Sequence, residues 1–216
     1  MKALVIGCGS IGRRHISNLI SSDRIDRVIV FTRNRNCLKD IDGRGKVETA
    51  ASLETVEADF AVIANDTDKH IETALWLAGM GIDIFIEKPL SHNTDNIGLL
   101  EEQAKNKGIS ISLGYNLRFL GIMERIKKLL STHALGKLYF AKIEVGQYLP
   151  DWREGTDYRN SYSVSADRGG GVALDLSHEL DYMRYFFGNP IIWKVIRAKA
   201  GDLEMSAEDV FEGIYS

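Results

Sequence analysis

The chain has 216 residues, 44% hydrophobic and 26% charged, with a formal net charge of −3. That balance suits a soluble globular protein of one or two domains and leaves no nucleic-acid footprint in the total. Its apolar runs fall far short of the roughly 20 residues a membrane-spanning helix needs, and Met1-Lys2 leads straight into such a run with no signal peptide between.

The first apolar run, residues 3–6, ends at Gly7-Cys8-Gly9-Ser10-Ile11-Gly12, and a helical pattern over 11–21 follows at once. This is G-x-G-x-x-G in the setting a dinucleotide-binding turn requires. Glycines let the backbone approach a pyrophosphate, and the helix N-terminus receives its charge. Gly7, Gly9, Ser10, Ile11 and Gly12 are the candidate contacts; His15, on that helix, is structural or near the phosphates. Cys8 and Cys37 form no C-x-x-C, and they read as free thiols in a reducing cytoplasm. The His and Cys spacings match no zinc pattern, so no metal is expected.

The second run, 28–31, leads into Thr32-Arg33-Asn34-Arg35, with no acid before Asp40. An acid at this strand end would bond the ribose 2′-hydroxyl of NAD; an arginine accommodates a 2′-phosphate. Thr32 can bond a phosphate oxygen, and Arg33 and Arg35 can pair with it or stack on adenine. NADP(H) is therefore expected in preference to NAD. The other possibility is that both arginines are solvated and NAD binds through hydroxyl contacts.

A third run, 60–64, is followed by Asn65-Asp66-Thr67-Asp68-Lys69-His70 and a helical stretch over 68–80. Asn65 and Thr67 are expected to line the cofactor crevice, with His70 beside them at the helix start. The run at 84–86 ends in Glu87-Lys88-Pro89. Ligands of an open parallel sheet bind beyond the carboxyl ends of its strands, which puts Glu87 and Lys88 at the mouth of the same crevice. A helix over 94–107, capped by Thr94 and closed at Gly108, precedes a last run at 109–113. Unbroken apolar strands between amphipathic helices indicate a parallel sheet covered on both faces. Residues 1–118 thus read as a doubly wound α/β Rossmann domain.

Residues 119–216 read as a second, α+β domain. A helix over 121–131 leads into 137–147, where Leu138, Phe140, Ile143 and Val145 are interspersed with Lys142 and Glu144, the pattern of a half-buried antiparallel strand. A polar loop over 148–168 carries Trp152, Arg153, Tyr158 and Arg159; loops of this length are often functional. Gly169-Gly170-Gly171 opens a helix over 173–187, a strand follows at 191–200, and 210–215 begins another. So thin an antiparallel sheet has an exposed edge. Either oligomerisation covers it or the chain is a shortened version of something longer.

The glycine turn, Glu87-Lys88-Pro89, Asn65 to His70, Gly114-Tyr115-Asn116-Leu117-Arg118-Phe119, and Gly169 to His178 form an ordered set. The chain resembles, over nearly its whole length, the Gfo/Idh/MocA family of NAD(P)-dependent oxidoreductases. The resemblance implies a Rossmann domain followed by a domain on a mostly antiparallel sheet, often used for oligomerisation. It implies hydride transfer between a nicotinamide and a secondary alcohol carbon of a sugar, cyclitol or related compound. Lys88 would hold cofactor and substrate, and Asp175 and His178 would work on the reacting hydroxyl. The Asp–His spacing is three here and four in many members; both spacings keep the pair on one helix face. Members usually continue past the point where this chain ends, so it is C-terminally short by comparison.

Hydride transfer needs a proton carrier and a group that stabilises charge on the oxygen. His178 suits the first role because imidazole titrates near neutral pH, with Asp175 orienting the ring or sharing the proton. Lys88 suits the second. Asn116 is placed near nicotinamide or substrate, and Arg118 near substrate. Asp181 supports His178, binds substrate, or is an exposed helix carboxylate. Trp152 and Tyr158 can stack on a sugar face, while Arg153 and Arg159 can pair with carboxylate or phosphate. An anionic sugar or nucleotide sugar is the expected substrate, and a cytoplasmic homo-oligomer through the second-domain sheet the expected form. Asp151-Trp152-Arg153 with Asp175 to Glu179 resembles members associated with surface-polysaccharide sugar synthesis. Two other functions stay open: a non-catalytic nucleotide-binding relative, and an NAD-dependent glycoside-processing enzyme.

Overall fold

The computed structural model describes residues 1–43, 45–152, 155–191 and 193–216, apart from the side chains of Arg35 and Trp193. Two compact units divide the chain, Met1–Gly114 and Tyr115–Ser216.

In the first unit, six parallel strands follow from the Val- and Ile-rich runs: β1 (Lys2–Ile6), β2 (Arg27–Phe31), β3 (Val47–Thr49), β4 (Phe60–Ile63), β5 (Asp83–Ile86) and β6 (Ile111–Leu113). Successive side chains of a strand point to opposite faces, so one run feeds two cores. Leu4, Ile6, Ala61, Ile63, Ile84 and Ile86 build one cluster, and Ala3, Val5, Val28, Val30 and Val62 the other. Helix α1 (Ser10–Ile20) buries Ile16 and Ile20 in the second cluster. Helices α2 (His70–Gly79) and α3 (Ile97–Lys107) bury Ile71, Ala74, Leu77 and Leu100 in the first.

The strand order is β3-β2-β1-β4-β5-β6. After β3 the chain crosses back to place β4 on the other side of β1, so connections diverge at the carboxyl ends of β1 and β4. A crevice forms at such a switch point, and Gly7 and Asn65 lie at its two strand ends.

Two expectations for this unit are corrected, and one strand is added. Helix α3 starts at Ile97, not Thr94, because Asn93 Oδ1 accepts the Asp95 N–H at 3.0 Å and Asn96 adopts φ 60°. That turn competes with a helical start. Strand β3, too short for an apolar signal, is an addition. Cys8 and Cys37 are joined as a disulfide, 29 residues apart in sequence, rather than free. β1 and β2 are parallel neighbours, so the turn after β1 and the 3-10 turn Arg35–Leu38 after β2 emerge at the same sheet end.

The second unit holds α4 (Gly121–Ser131), α5 (Val172–Asp175), α6 (His178–Phe187) and an antiparallel pair, β7 (Trp193–Ala198) with β8 (Val210–Tyr215). The strand expected over 137–147 is absent. Those residues are irregular, and Tyr139 and Phe140 are exposed. A strand exists only when its backbone finds a ladder partner, and among the described residues β7 and β8 pair with each other alone. The helix expected over 173–187 is broken at Leu176 and Ser177 into α5 and α6. Among its described residues the loop over 148–168 contains four 3-10 turns, two of them capped by Asp157 and Ser161 side chains. Among the described residues no helix is long and apolar enough to cross a membrane.

Candidate active site

The turn after β1 closes only with glycine. Gly7 has φ 97°, and a Cβ there would lie 2.4 Å from the Ala64 carbonyl oxygen; one on Gly12 would lie 2.3 Å from the Gly7 carbonyl oxygen. Gly9 is different: a Cβ on it would meet nothing within 4 Å. It precedes α1, whose N-terminus has no side-chain cap and no acid in its first turn. The first-turn N–H groups have no helical carbonyl to bond, and they and the positive end of the helix dipole lie beside exposed Gly9, Ser10 and Ile11. A pyrophosphate fits this cradle.

At the end of β2, Thr32 Oγ1 accepts the Asn34 N–H at 3.2 Å, and Asn34 Oδ1 accepts the Asn36 N–H at 3.1 Å. These bonds shape the turn and leave Arg33 exposed. The Arg35 side chain lies outside the described residues. Arg13 reaches across from α1 to the Cys37 carbonyl and stands 3.9 Å from Asp40.

Beyond β4 and β5 two histidines organise the chain. Asn65 Nδ2 donates to Thr73 Oγ1 at 3.0 Å, and Thr67 is buried. His70 is 1% exposed, with Nδ1 2.9 Å from the Pro89 carbonyl oxygen and Nε2 3.2 Å from that of Asn65. Burial lowers its pKa, outweighing the pull of the two carbonyls. A neutral ring donates to only one of them. Glu87 points inward: Oε1 lies 2.7 Å from His15 Nε2 on α1, and Oε2 accepts the Lys88 N–H at 3.1 Å. Gly114 packs against the same carboxylate. Lys88 follows directly, half-buried, joined to Pro89 by a cis peptide bond.

In the second unit Asp175 is the last residue of α5 and His178 the first of α6, so the shared helix face expected for them is corrected. Asp175 is buried and His178 half-buried. The His178 ring meets Tyr115 edge-on, centroids 5.7 Å apart. The Tyr115 hydroxyl donates to Ser177 Oγ at 3.4 Å, and burial raises the phenol's pKa. Glu208, unremarked in the sequence, braces this region. Its carboxylate fills the place of a Gly171 Cβ, accepts the Ala173 N–H at 3.2 Å, and pairs with Arg197 at 2.8 Å.

Three of the remaining expected substrate residues, Arg118, Tyr158 and Arg159, have local partners. Arg118 is held by Asp181, and Asn116 is exposed in a 3-10 turn with it. Arg159 pairs with Asp157 at 2.9 Å, and the Tyr158 hydroxyl accepts the Glu204 N–H at 3.1 Å. Trp152 is half-buried. Arg153 lies outside the described residues.

The family model described as "Oxidoreductase family, NAD-binding Rossmann fold" (GFO_IDH_MocA) matches residues 1–115, and that of the GFO/IDH/MocA C-terminal domain matches 123–215. The chain belongs to the GFO/IDH/MocA family. A myo-inositol 2-dehydrogenase of Thermotoga maritima is 26% identical to it over 88% of this chain and 56% of that protein. A glucose-6-phosphate 3-dehydrogenase of Bacillus subtilis is 23% identical over 95% and 59%. The crystal structure of the WlbA dehydrogenase from Bordetella pertussis, in complex with NADH and UDP-GlcNAcA, superposes with a TM-score of 0.82 at 18% identity, over 98% of this chain and 62% of that one. The chain thus spans between 56% and 62% of the length of these relatives.

As a GFO/IDH/MocA chain, it carries the NAD-binding Rossmann fold of its family, an α/β sheet with a small antiparallel pair in the second unit. His15 and Glu208 are the two residues whose bracing contacts sequence reasoning did not anticipate. For His15 the available signal was its place one turn beyond Gly12 on the helix leaving the glycine turn; for Glu208 there was none.

Proposed function

We propose that this chain transfers a hydride between a nicotinamide dinucleotide and a secondary alcohol carbon of a sugar, sugar acid or nucleotide sugar. The observation that carries the reading is the open cradle at Gly9 before an uncapped α1, with Lys88 on the turn after β5 at the same end of the sheet. The nicotinamide, when bound, supplies or accepts the hydride.

The rest is the work of this chain's residues. Gly7, Gly9, Ser10, Ile11 and Gly12 hold the pyrophosphate. Thr32, Arg33 and Arg35 receive the adenosine ribose, with two cations and no acid favouring a 2′-phosphate and hence NADP(H). Asn65, Thr67 and Asn116 line the cofactor, while His70 acts through the carbonyls of Asn65 and Pro89. Lys88 offers a cation to the substrate oxygen as charge develops there. His178 takes or returns the hydroxyl proton, and Asp175 orients it. The relatives act on inositol and glucose 6-phosphate, which supports a polyhydroxylated substrate, and Trp152 and Tyr158 offer aromatic faces for one.

The test is a screen of inositols, sugar phosphates, sugar acids and nucleotide sugars with both cofactors, following absorbance of the reduced nicotinamide. On the substrate found, Lys88→Ala and His178→Ala should each lower turnover by ~10²-fold or more while circular dichroism stays unchanged. Full activity in either variant removes that residue from the chemistry. Absence of turnover across the panel, in protein that binds the cofactor, favours the non-catalytic reading.

A further inference from the structure

Glu87 is an odd residue for its place. Ile84 and Ile86 of β5 face one core cluster, and Phe85 packs against the other, on the α1 side. Alternation carries Glu87 to the side of Phe85. A carboxylate there is only 12% exposed, and removing such a charge from water is costly unless it is paired and hydrogen-bonded. Its partners are specific. An ionised carboxylate only accepts, so His15 Nε2 donates to Oε1 at 2.7 Å, while Oε2 takes the backbone N–H of Lys88 at 3.1 Å. Gly114 packs close beside it: a Cβ there would come within 2.9 Å of Oε2. The His15 ring is fixed in turn by an edge-on contact with Phe85, centroids 5.3 Å apart.

The chain of contacts runs from α1 to the lysine. α1 begins at the Gly9 cradle; His15 lies on it; Glu87 bonds His15 with one oxygen and the Lys88 backbone with the other. On the far side of the turn, the His70 ring meets the Pro89 carbonyl. An apolar pair at positions 15 and 87 would fill the same space without gripping the Lys88 N–H.

We propose that His15 is a positioning residue for Lys88: by its bond to Glu87 it holds the turn that carries the lysine at a fixed height relative to the helix that receives the pyrophosphate. His15 itself touches neither cofactor nor substrate. The inference rests on the dehydrogenase reading for its catalytic consequence, but the link itself is measurable without any substrate.

The experiment labels the protein's lysines by reductive methylation with 13C-formaldehyde and assigns the Lys88 signal from its loss in Lys88→Arg. His15→Ala is expected to move the Lys88 signal toward the envelope of exposed lysines. His15→Gln, whose amide nitrogen stands close to the Nε2 position, should restore it. Turnover should follow the signal: kcat falls ~10-fold or more in His15→Ala, as expected for a displaced catalytic group, with KM for the cofactor within about twofold, and recovers in His15→Gln. If His15→Ala does not fold, Glu87→Met reads the same link, since a thioether of similar length offers no carboxylate oxygen to His15 or to the Lys88 N–H; its Lys88 signal should move too. A Lys88 signal that stays in place in the folded variants overturns the proposal, as does a raised cofactor KM with kcat unchanged, which would make His15 a cofactor contact. Wild-type turnover in Lys88→Arg would instead sink the catalytic role of the lysine and leave the signal shift to decide the role of His15.

Discussion

The Arg118 guanidinium holds the Asp181 carboxylate through two bonds, Nε to Oδ2 at 2.7 Å and Nη2 to Oδ1 at 2.5 Å. The fork ties the 3-10 turn Asn116–Phe119 to α6, three residues beyond His178. Tyr185, one helical turn past Asp181, receives the same guanidinium over its ring at 5.3 Å and Lys127 of α4 at 3.6 Å. The carboxylate is the buried partner, 10% exposed, against 41% for the arginine. Asp181 is thereby a support for the helix of His178.

That asymmetry sets the expected cost of breaking the pair. Arg118→Ala strands a nearly buried carboxylate and should destabilise the chain by ~1–3 kcal/mol, the lower figure allowing for solvent screening of the exposed guanidinium. Arg118→Lys should recover only part, because an ammonium cannot match the fork. Urea unfolding followed by fluorescence measures both; an unchanged midpoint in Arg118→Ala would mean the pair contributes nothing.

Cofactor preference follows from the residues after β2. With Arg33 and Arg35 present and no acid until Asp40, NADP(H) should bind about tenfold or more tightly than NAD(H), since one charge-assisted contact contributes ~1.5–3 kcal/mol. Arg33→Ala should narrow the gap. Fluorescence titration of both reduced cofactors decides the matter, and equal affinities in the wild-type chain defeat the argument.

His70 should make stability depend on pH. Burial lowers its folded-state pKa below the ordinary value of about 6.5. As pH falls through that value, the unfolded chain takes up a proton that the folded ring refuses, so the unfolded state gains. The folded state should therefore lose stability on going from pH 7 toward pH 5, by at most ~1.4 kcal/mol per pH unit from this one group. Unfolding midpoints at several pH values, compared with those of His70→Gln, isolate the contribution. Identical slopes for the two proteins would assign the dependence to other groups.

Cys8 and Cys37 close a loop of 29 residues across the ends of β1 and β2. Reduction should cost ~3–4 kcal/mol of stability on the loop-entropy scale. Untreated protein should show no reactive thiol in denaturant, and reduced protein should show two. If the untreated protein already titrates as two thiols, the cysteines are neighbours and not a bond.

Much of the first unit was legible because its signals are local. A run such as residues 3–6 is buried on both faces whatever its neighbours, and Gly7 and Gly12 are demanded by a positive φ and a backbone approach within the turn itself. Lys88 was legible for a related reason, since a residue at a parallel strand's carboxyl end stands at the ligand-binding end of the sheet. The family motifs ordered these features along the chain, and the family models match them over both units.

What the sequence by itself determined, then, was the set of elements whose cause is local: the apolar strands, the glycine turn, the placement of Lys88, and the αL stop at Gly108. Tertiary structure decided whatever depends on a partner distant in the chain. Residues 142–145 alternate as a strand does, yet 137–147 form none without a ladder partner. Asp175 and His178 sit at helix spacing but on two helices, with Glu208 bracing the first from the far side of β7 in sequence. His15 and Glu87, or Cys8 and Cys37, meet only because parallel strand order brings their turns and helices to the same end and face of the sheet. No periodicity in one segment can encode such a meeting, since it is a property of two segments and of the topology that joins them.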